Sequence, residues 1–213
     1  MTERLCIIDC GSGNLRSVEN AAARAAREAG LALRILVSAD ASEVASADRI
    51  ILPGVGAFGA YMRGLAAIPG LLGALEKSAL IGRRPFLGIC VGMQALATTG
   101  FEFGETDGLG WIAGEIRPLE NRPGRRVPHM GWNEVNLAAP YPVLDCIAGR
   151  DAYFLHSFHF VPDNDHSAIA FCDYGERLVA AVARDNILGV QFHPEKSQDA
   201  GLALLGAFLR WRP

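Results

Sequence analysis

No Cys-x-x-Cys pair occurs in this chain, and its five cysteines, Cys6, Cys10, Cys90, Cys146 and Cys172, form an odd, scattered set. That argues against a disulfide-built fold and for a reducing, cytoplasmic setting. Cys6 and Cys10 lack a second cysteine pair and a histidine at ligand spacing, so no metal site is expected. There is no basic excess either: 20 Lys and Arg stand against 23 Asp and Glu, a formal net charge of -3. Such a balance cannot neutralise a phosphate backbone or hold an anionic membrane, which removes nucleic acid and membrane surfaces as partners. No apolar run approaches the ~20 residues of a membrane span. The N-terminus enters a strand at once, with no secretory core ahead of it, and internal repeats and low-complexity tracts are missing.

What is present is a well-stocked core. Half of the 213 residues are hydrophobic, enough for a single domain spanning 1-213. Short runs rich in Ile, Val, Leu and Phe recur at Leu5–Ile8, Leu33–Val37, Ile50–Leu52, Phe86–Ile89, Ile169–Cys172, Leu178–Ala183 and Ile187–Phe192. Several are apolar throughout, as strands covered on both faces are, and the first four are separated by helix-length segments. The expected fold is therefore α/β, a mostly parallel central sheet flanked by helices. Val18, Ala21, Ala22, Ala25 and Ala29 form one helical stripe between Asn14, a candidate cap, and Gly30, a candidate stop. Leu202, Leu205, Phe208 and Leu209 predict a closing helix over about Gln198 to Arg210. Between Gly100 and Arg150 the alternation fades and Pro118, Pro123, Pro128, Pro140 and Pro142 accumulate. This stretch reads as an irregular, hairpin-rich insertion.

The chemistry centres on Gly88-Ile89-Cys90-Val91-Gly92, which follows the apolar run Pro85-Phe86-Leu87. A nucleophile on a sharp strand-to-helix turn needs small neighbours on both sides, and the two glycines supply that room. A helix from Val91 to about Thr98 would place the sulfur near free backbone N–H groups, which favour thiolate. A base lies far downstream in Gln191-Phe192-His193-Pro194-Glu195. The residue before a proline is extended, and alternate residues of an extended segment share a side, so Glu195 can hold His193 while its other nitrogen faces Cys90. Cys90, His193 and Glu195 are thus the candidate catalytic triad. His129, His156, His159 and His166 have no such partner and are assigned ordinary structural or surface roles.

Three loops end apolar strands where an open α/β sheet gathers reactive groups: Pro53–Gly59, Cys90–Gly92 and His193–Glu195. Pro53-Gly54-Val55-Gly56 lacks the lysine and Ser/Thr of a nucleotide-binding loop. It reads better as a source of oxyanion donors, with Val55, Gly56 and the Val91 amide as the candidate oxyanion hole.

With these residues in place the chain resembles the triad-type, class I glutamine amidotransferases, through Gly88-Ile89-Cys90-Val91-Gly92-Met93-Gln94 and His193-Pro194-Glu195. Within them it resembles the glutaminase subunits of imidazole glycerol phosphate synthase. That narrower likeness rests on Gly13-Asn14-Leu15-Arg16-Ser17-Val18, Leu52-Pro53-Gly54-Val55-Gly56-Ala57-Phe58, Pro128-His129-Met130-Gly131-Trp132-Asn133, Tyr153-Phe154-Leu155-His156-Ser157 and Glu195-Lys196-Ser197. The resemblance implies hydrolysis of glutamine to glutamate and ammonia without a cofactor. The ammonia would pass to a (βα)8-barrel cyclase subunit in a heterodimer serving histidine biosynthesis. It further implies that Gln94, Glu102, Ser157 and Phe158 hold the glutamine and that the Gly54-Val55-Gly56 peptides reorient when the cyclase binds its ligand; Asn14, Trp132 and Lys196 are expected at or near the cyclase interface. Two residues depart from the pattern: Cys10 where an aromatic residue is usual, and Val91 where leucine is. A glutaminase feeding another synthase, such as that for anthranilate or GMP, and a non-catalytic docking subunit are the alternatives. An α/β-hydrolase triad fits less well, since its acid precedes the histidine by many residues.

Overall fold

The computed structural model describes residues 2–11, 13–122 and 125–213. Strands β1 (Glu3–Ile8), β2 (Leu33–Ser38), β3 (Arg49–Gly54) and β4 (Phe86–Cys90) alternate with helices α1 (Leu15–Glu28), α2 (Ala41–Ala45), α3 (Phe58–Ala67) and α4 (Leu71–Glu76), the last running into a π-helical turn over Lys77–Ile81. A short α5 (Val91–Gln94) follows β4 directly. Then come β5 (Thr99–Gly100), β6 (Thr106–Asp107), β7 (Gly114–Pro118), β8 (His129–Leu137), β9 (Arg150–His156), β10 (Phe158–Pro162), β11 (Ala168–Asp173), β12 (Arg177–Arg184), β13 (Ile187–Val190) and the closing α6 (Gln198–Arg210).

Nine strands make one sheet in the order β2-β1-β3-β4-β13-β12-β11-β8-β9, parallel from β2 to β13 and antiparallel beyond. This is the mixed α/β architecture the apolar runs foretell. The chain moves outward from β1 to β2 and then back across to β3. Right-handed crossovers therefore put α1 on one face and α2 to α4 on the other. The closing α6 packs against α1. Covered on both sides, Ile50, Ile51 and Leu52 of β3 and Phe86, Leu87 and Ile89 of β4 are buried. In α1, Val18, Ala22, Ala25 and Ala26 are buried, and small side chains on this face let α6 approach closely. Asn14 stands at the N-cap of α1, but its side chain makes no capping bond. At the other end Gly30, at φ +67, turns the chain so that Leu31 N–H reaches the Ala26 carbonyl.

Two expectations need correcting. The stretch from Gly100 to Arg150 is not simply an insertion. Strands β10, β7, β5 and β6 form a separate four-stranded sheet, but β8, together with β9, extends the nine-stranded sheet. The prolines of this stretch lie outside β8, so nothing interrupts its ladder, and Pro123 falls outside the described residues. The helix after Cys90 is also shorter than expected, ending at Gln94 instead of about Thr98. Leu96 and Ala97 N–H fall back on the carbonyls of Met93 and Gln94, three residues away, and Thr98 N–H donates to the Gly114 carbonyl at 2.9 Å instead of to Gln94, which ends the helix.

Candidate active site

Three adjacent parallel strands, β3, β4 and β13, deliver the key residues to one edge of the sheet. Gly54 pairs with Cys90 across β3 and β4, and Ile89 pairs with Val190 across β4 and β13, which leaves Gln191 to His193 beside the nucleophile. The elbow is tight. A Cβ on Gly88 would lie 2.5 Å from the Gly92 carbonyl oxygen, and one on Gly92 would lie 1.9 Å from that of Leu52. Cys90 itself has φ 54 and ψ -110, a conformation an L-residue holds only under strain. Because α5 spans a single turn, the field of its backbone dipoles on the sulfur is small compared with that of a full-length helix.

His193 is buried, and its Nδ1 lies 2.9 Å from Glu195 Oε1. Glu195 does not reach it along an extended strand. After extended His193, residues Pro194–Lys196 form a 3-10 turn that folds the carboxylate back onto the ring. The Glu195 side chain is 3% exposed, and its Oε2 has no hydrogen-bond partner among the described residues. Burial lowers the pKa of His193, but hydrogen bonds and charge from Cys90 and Glu195 outweigh it and raise it from 6.5 to about 9. The backbone is pinned as well: His193 N–H donates to the Tyr153 carbonyl at 2.8 Å, while the Ser197 hydroxyl donates to the His193 carbonyl at 2.6 Å and accepts from Tyr153 N–H at 2.9 Å.

Cys90, His193, Val55, Gly56, Val91, Gln94, Glu102, Ser157, Phe158 and Lys196 all line one cleft of about 270 Å³, with Leu155, His156 and Pro128 completing its wall. One oxygen of Glu102 accepts from Phe58 N–H at 2.7 Å at the start of α3. Gln94 donates from Nε2 to the Phe158 carbonyl at 3.0 Å and to Gln191 Oε1 at 3.1 Å. Asn14 is exposed and does not line the cleft. Trp132 borders a neighbouring hollow with Arg150 and Ser197, its ring set edge-on to Tyr153, over which Lys196 Nζ sits at 5.6 Å.

Several residues that shape the site carry no sequence motif of their own. Tyr61 donates its hydroxyl to the Pro53 carbonyl at 2.9 Å, and the Cys10 thiol approaches the same oxygen at 3.9 Å, so both brace the loop before Gly54. Gln191 donates from Nε2 to Cys90 Sγ at 3.7 Å. On α6, a Cβ at Gly201 would come within 1.8 Å of the Pro194 carbonyl, so that glycine lets the helix seat the turn carrying Glu195. Gln191 and Ser197 lie in the quoted segments around His193 and Cys10 stands out as a departure from the family pattern, whereas Tyr61 and Gly201 carry no such signal.

The buried histidines give stability a defined pH dependence. His193 is raised on folding, so its stabilisation is complete below pH 6.5 and is lost as the pH climbs toward 9. Burial holds His129 down to about 4 and His156 to about 3. The unfolded chain then binds more protons than the folded one, and stability falls as the pH drops from 6.5 toward those values. Urea unfolding should therefore show maximal stability near pH 6.5, with slopes of up to roughly 1.4 kcal/mol per pH unit for each histidine. Between pH 6.5 and about 8, below the range in which the buried Cys6 and Cys172 thiols contribute, the His193→Gln variant should lose the alkaline slope, and its persistence there would contradict the assignment.

The class I glutamine amidotransferase family matches residues 6–209. A solved glutamine amidotransferase structure superposes with a TM-score of 0.67 at 19% identity, covering 92% of this chain and 94% of that one, a likeness of fold. The chain belongs to the class I glutamine amidotransferases and, within them, to the HisH family. The imidazole glycerol phosphate synthase subunit HisH of Zymomonas mobilis is 53% identical over 98% of this chain and 96% of its own length. That of Rhodospirillum rubrum is 49% identical over 99% and 100%. Among the described residues, no single helix is long and apolar enough to cross a membrane.

Proposed function

We propose that residues 1-213 act as one cytoplasmic glutaminase domain in which Cys90 attacks the side-chain amide carbon of glutamine. Cys90 gives its proton to His193. When it sits on the imidazole, the sulfur is the nucleophile, and the amides of Val55, Gly56 and Val91 receive the oxygen that becomes negative. His193 then gives its proton to the leaving nitrogen, ammonia departs, and a thioester remains on Cys90. Water adds to the thioester with His193 taking its proton, glutamate leaves, and the thiol is restored. Glu195 keeps one imidazole nitrogen occupied throughout, fixing the ring's orientation. Gln94, Glu102, Ser157 and Phe158 hold the substrate's amino-acid end. The observation that carries this reading is the placement of Cys90 and Glu195 on one buried imidazole at the wall of a cleft sized for an amino acid.

The ammonia passes to a cyclase subunit that forms imidazole glycerol phosphate in histidine biosynthesis, in a heterodimer with this chain. Exposed Val55, Met130, Trp132 and Leu155 cluster around the cleft or on the neighbouring β8 and β9, an apolar rim suited to a protein partner, with Lys196 at its polar margin, and exposed Asn14 at the start of α1 is the third residue assigned to the interface. Glutamate release from glutamine by the chain alone, with the cyclase, and with the cyclase plus its ribonucleotide ligand tests the reading. Completing one oxyanion donor is worth on the order of 10²–10³ in rate, so stimulation of at least about 100-fold is expected in the last case. Unstimulated hydrolysis would point to another synthase, and no hydrolysis in any of the three to a docking subunit.

A further inference from the structure

A chain of hydrogen bonds, buried at its centre, leads from strand β8 to Cys90, and the donors and acceptors along it are fixed by chemistry. His156 Nδ1 lies 2.9 Å from the Phe158 carbonyl oxygen, which can only accept, so the hydrogen is on Nδ1. In an uncharged ring Nε2 is then an acceptor. His129 Nδ1 fills it at 3.0 Å, which puts the hydrogen of His129 on Nδ1 too. His129 Nε2 in turn accepts from Asn133 Nδ2 at 3.3 Å, and Asn133 is anchored by a second bond to the Asp173 carbonyl at 2.7 Å. The far end continues the path. The Phe158 carbonyl also accepts from Gln94, Gln94 donates to Gln191, and Gln191 donates to Cys90 Sγ. His129 stacks on Phe154 at 4.7 Å and on Tyr174 at 3.9 Å, so its ring has little freedom to flip.

We propose that His129 and His156, both uncharged and both in the Nδ1–H form, are positioning residues for glutamine: they fix the Phe158 peptide and Gln94 at the substrate end of the cleft. The claim rests on the glutaminase reading and adds to it two residues that touch no reacting atom. Its geometric basis is that Phe158 is clamped from two sides. Leu119 N–H holds the Ser157 carbonyl at 2.8 Å, and a planar trans peptide then aims the Phe158 N–H away from β7. His156 and Gln94 together occupy both lone pairs of the Phe158 carbonyl. A charged ring at either position would set two N–H donors against each other. Burial opposes that charge in both rings, and the neighbouring His159 and His193 oppose it further at His156.

The test uses the chain in complex with its cyclase and ribonucleotide ligand. In His129→Phe the ring stack survives but His156 Nε2 loses its donor. The glutamine KM should rise about tenfold or more while kcat stays within about threefold, the scale of one buried bond left unmade. His129→Asn can donate from nearly the same place as Nδ1 and should keep both constants within about threefold. Nitrogen-15 histidine spectra of the wild-type chain at pH 6 to 8 should show both rings neutral with Nδ1 protonated. An unchanged KM in His129→Phe, or an Nε2–H or doubly protonated ring, overturns the proposal. If His129→Phe fails to fold, His129→Asn and the tautomer spectrum decide. A wild-type complex without glutaminase activity would sink the functional reading instead, and the spectrum would still judge the histidine chain.

Discussion

Cys90→Ala and Cys90→Gly should both abolish glutamine hydrolysis, by on the order of 10⁴-fold or more, yet differ from each other in stability. The loss of activity follows from removing the only sulfur at the cleft wall among the described residues. The difference in stability follows from the backbone. At φ 54 and ψ -110, an alanine keeps the strain of the elbow, of order 1–3 kcal/mol, while a glycine does not feel it. Glycine gives back roughly 0.5–1 kcal/mol through its freer unfolded chain. The Gly variant should therefore come out about 1 kcal/mol more stable than the Ala variant in urea melts. Equal stabilities would mean that the elbow stores no strain, and retained hydrolysis would mean that the nucleophile lies elsewhere.

Strain at the nucleophile is tolerable because its surroundings leave no alternative. Cys90 is fixed by ladder bonds of β4 to β3 and β13, by the close passage of Gly92 under Leu52, and by Gln191 and the Leu155 carbonyl, 3.8 Å from its sulfur. The same rigidity serves the base. The 3-10 turn carrying Glu195 is seated by Gly201 of α6, and Ser197 ties it to β9. Strand β10, which carries Phe158, and strand β4, which carries Cys90, thus meet through the side chains of Gln94 and Gln191, not through one shared strand.

The central sheet was legible in the sequence because strands buried on both faces leave uninterrupted apolar runs, as in Ile50-Ile51-Leu52 and Phe86-Leu87. The closing helix over Gln198–Arg210 was legible through its 3.6-residue period. Strands β8 and β9 were not, because an edge hairpin with one solvated face mixes Met130, Trp132 and Glu134 with buried His129 and Val135, and no continuous run results. The early end of α5 was hidden for another reason: the carbonyl that takes Thr98 N–H out of the helix belongs to Gly114, beyond the reach of local periodicity. Cys90 and His193 announced themselves through glycines and a proline, whose backbone demands are visible in one dimension. Tyr61, Gln191 and the His129 and His156 pair act through bonds between separate segments, and although the last three fall within quoted segments, no local spacing reveals those bonds.

Gly92→Ala should be the most damaging single-methyl change in the site. The added Cβ would stand 1.9 Å from the Leu52 carbonyl oxygen and 2.9 Å from its carbon, both backbone atoms of the central strand β3. Neither can swing aside as a flexible side chain would. Either α5 lifts from the sheet or β3 shifts, and β3 leads within two residues to Gly54 and the oxyanion loop. Overpacking of this kind costs roughly 3 kcal/mol or more when backbone must yield. The molecules that still fold carry a displaced nucleophile or loop, and a shift of about 1 Å is enough to cost on the order of 10² in rate. Gly73→Ala is the matched control, since its Cβ meets nothing within 4 Å in the middle of α4. There the same methyl should stabilise the helix by up to about 1 kcal/mol and leave activity unchanged. If urea melts and glutaminase assays find the two variants alike, the close packing of α5 on β3 does not set the geometry of the nucleophile.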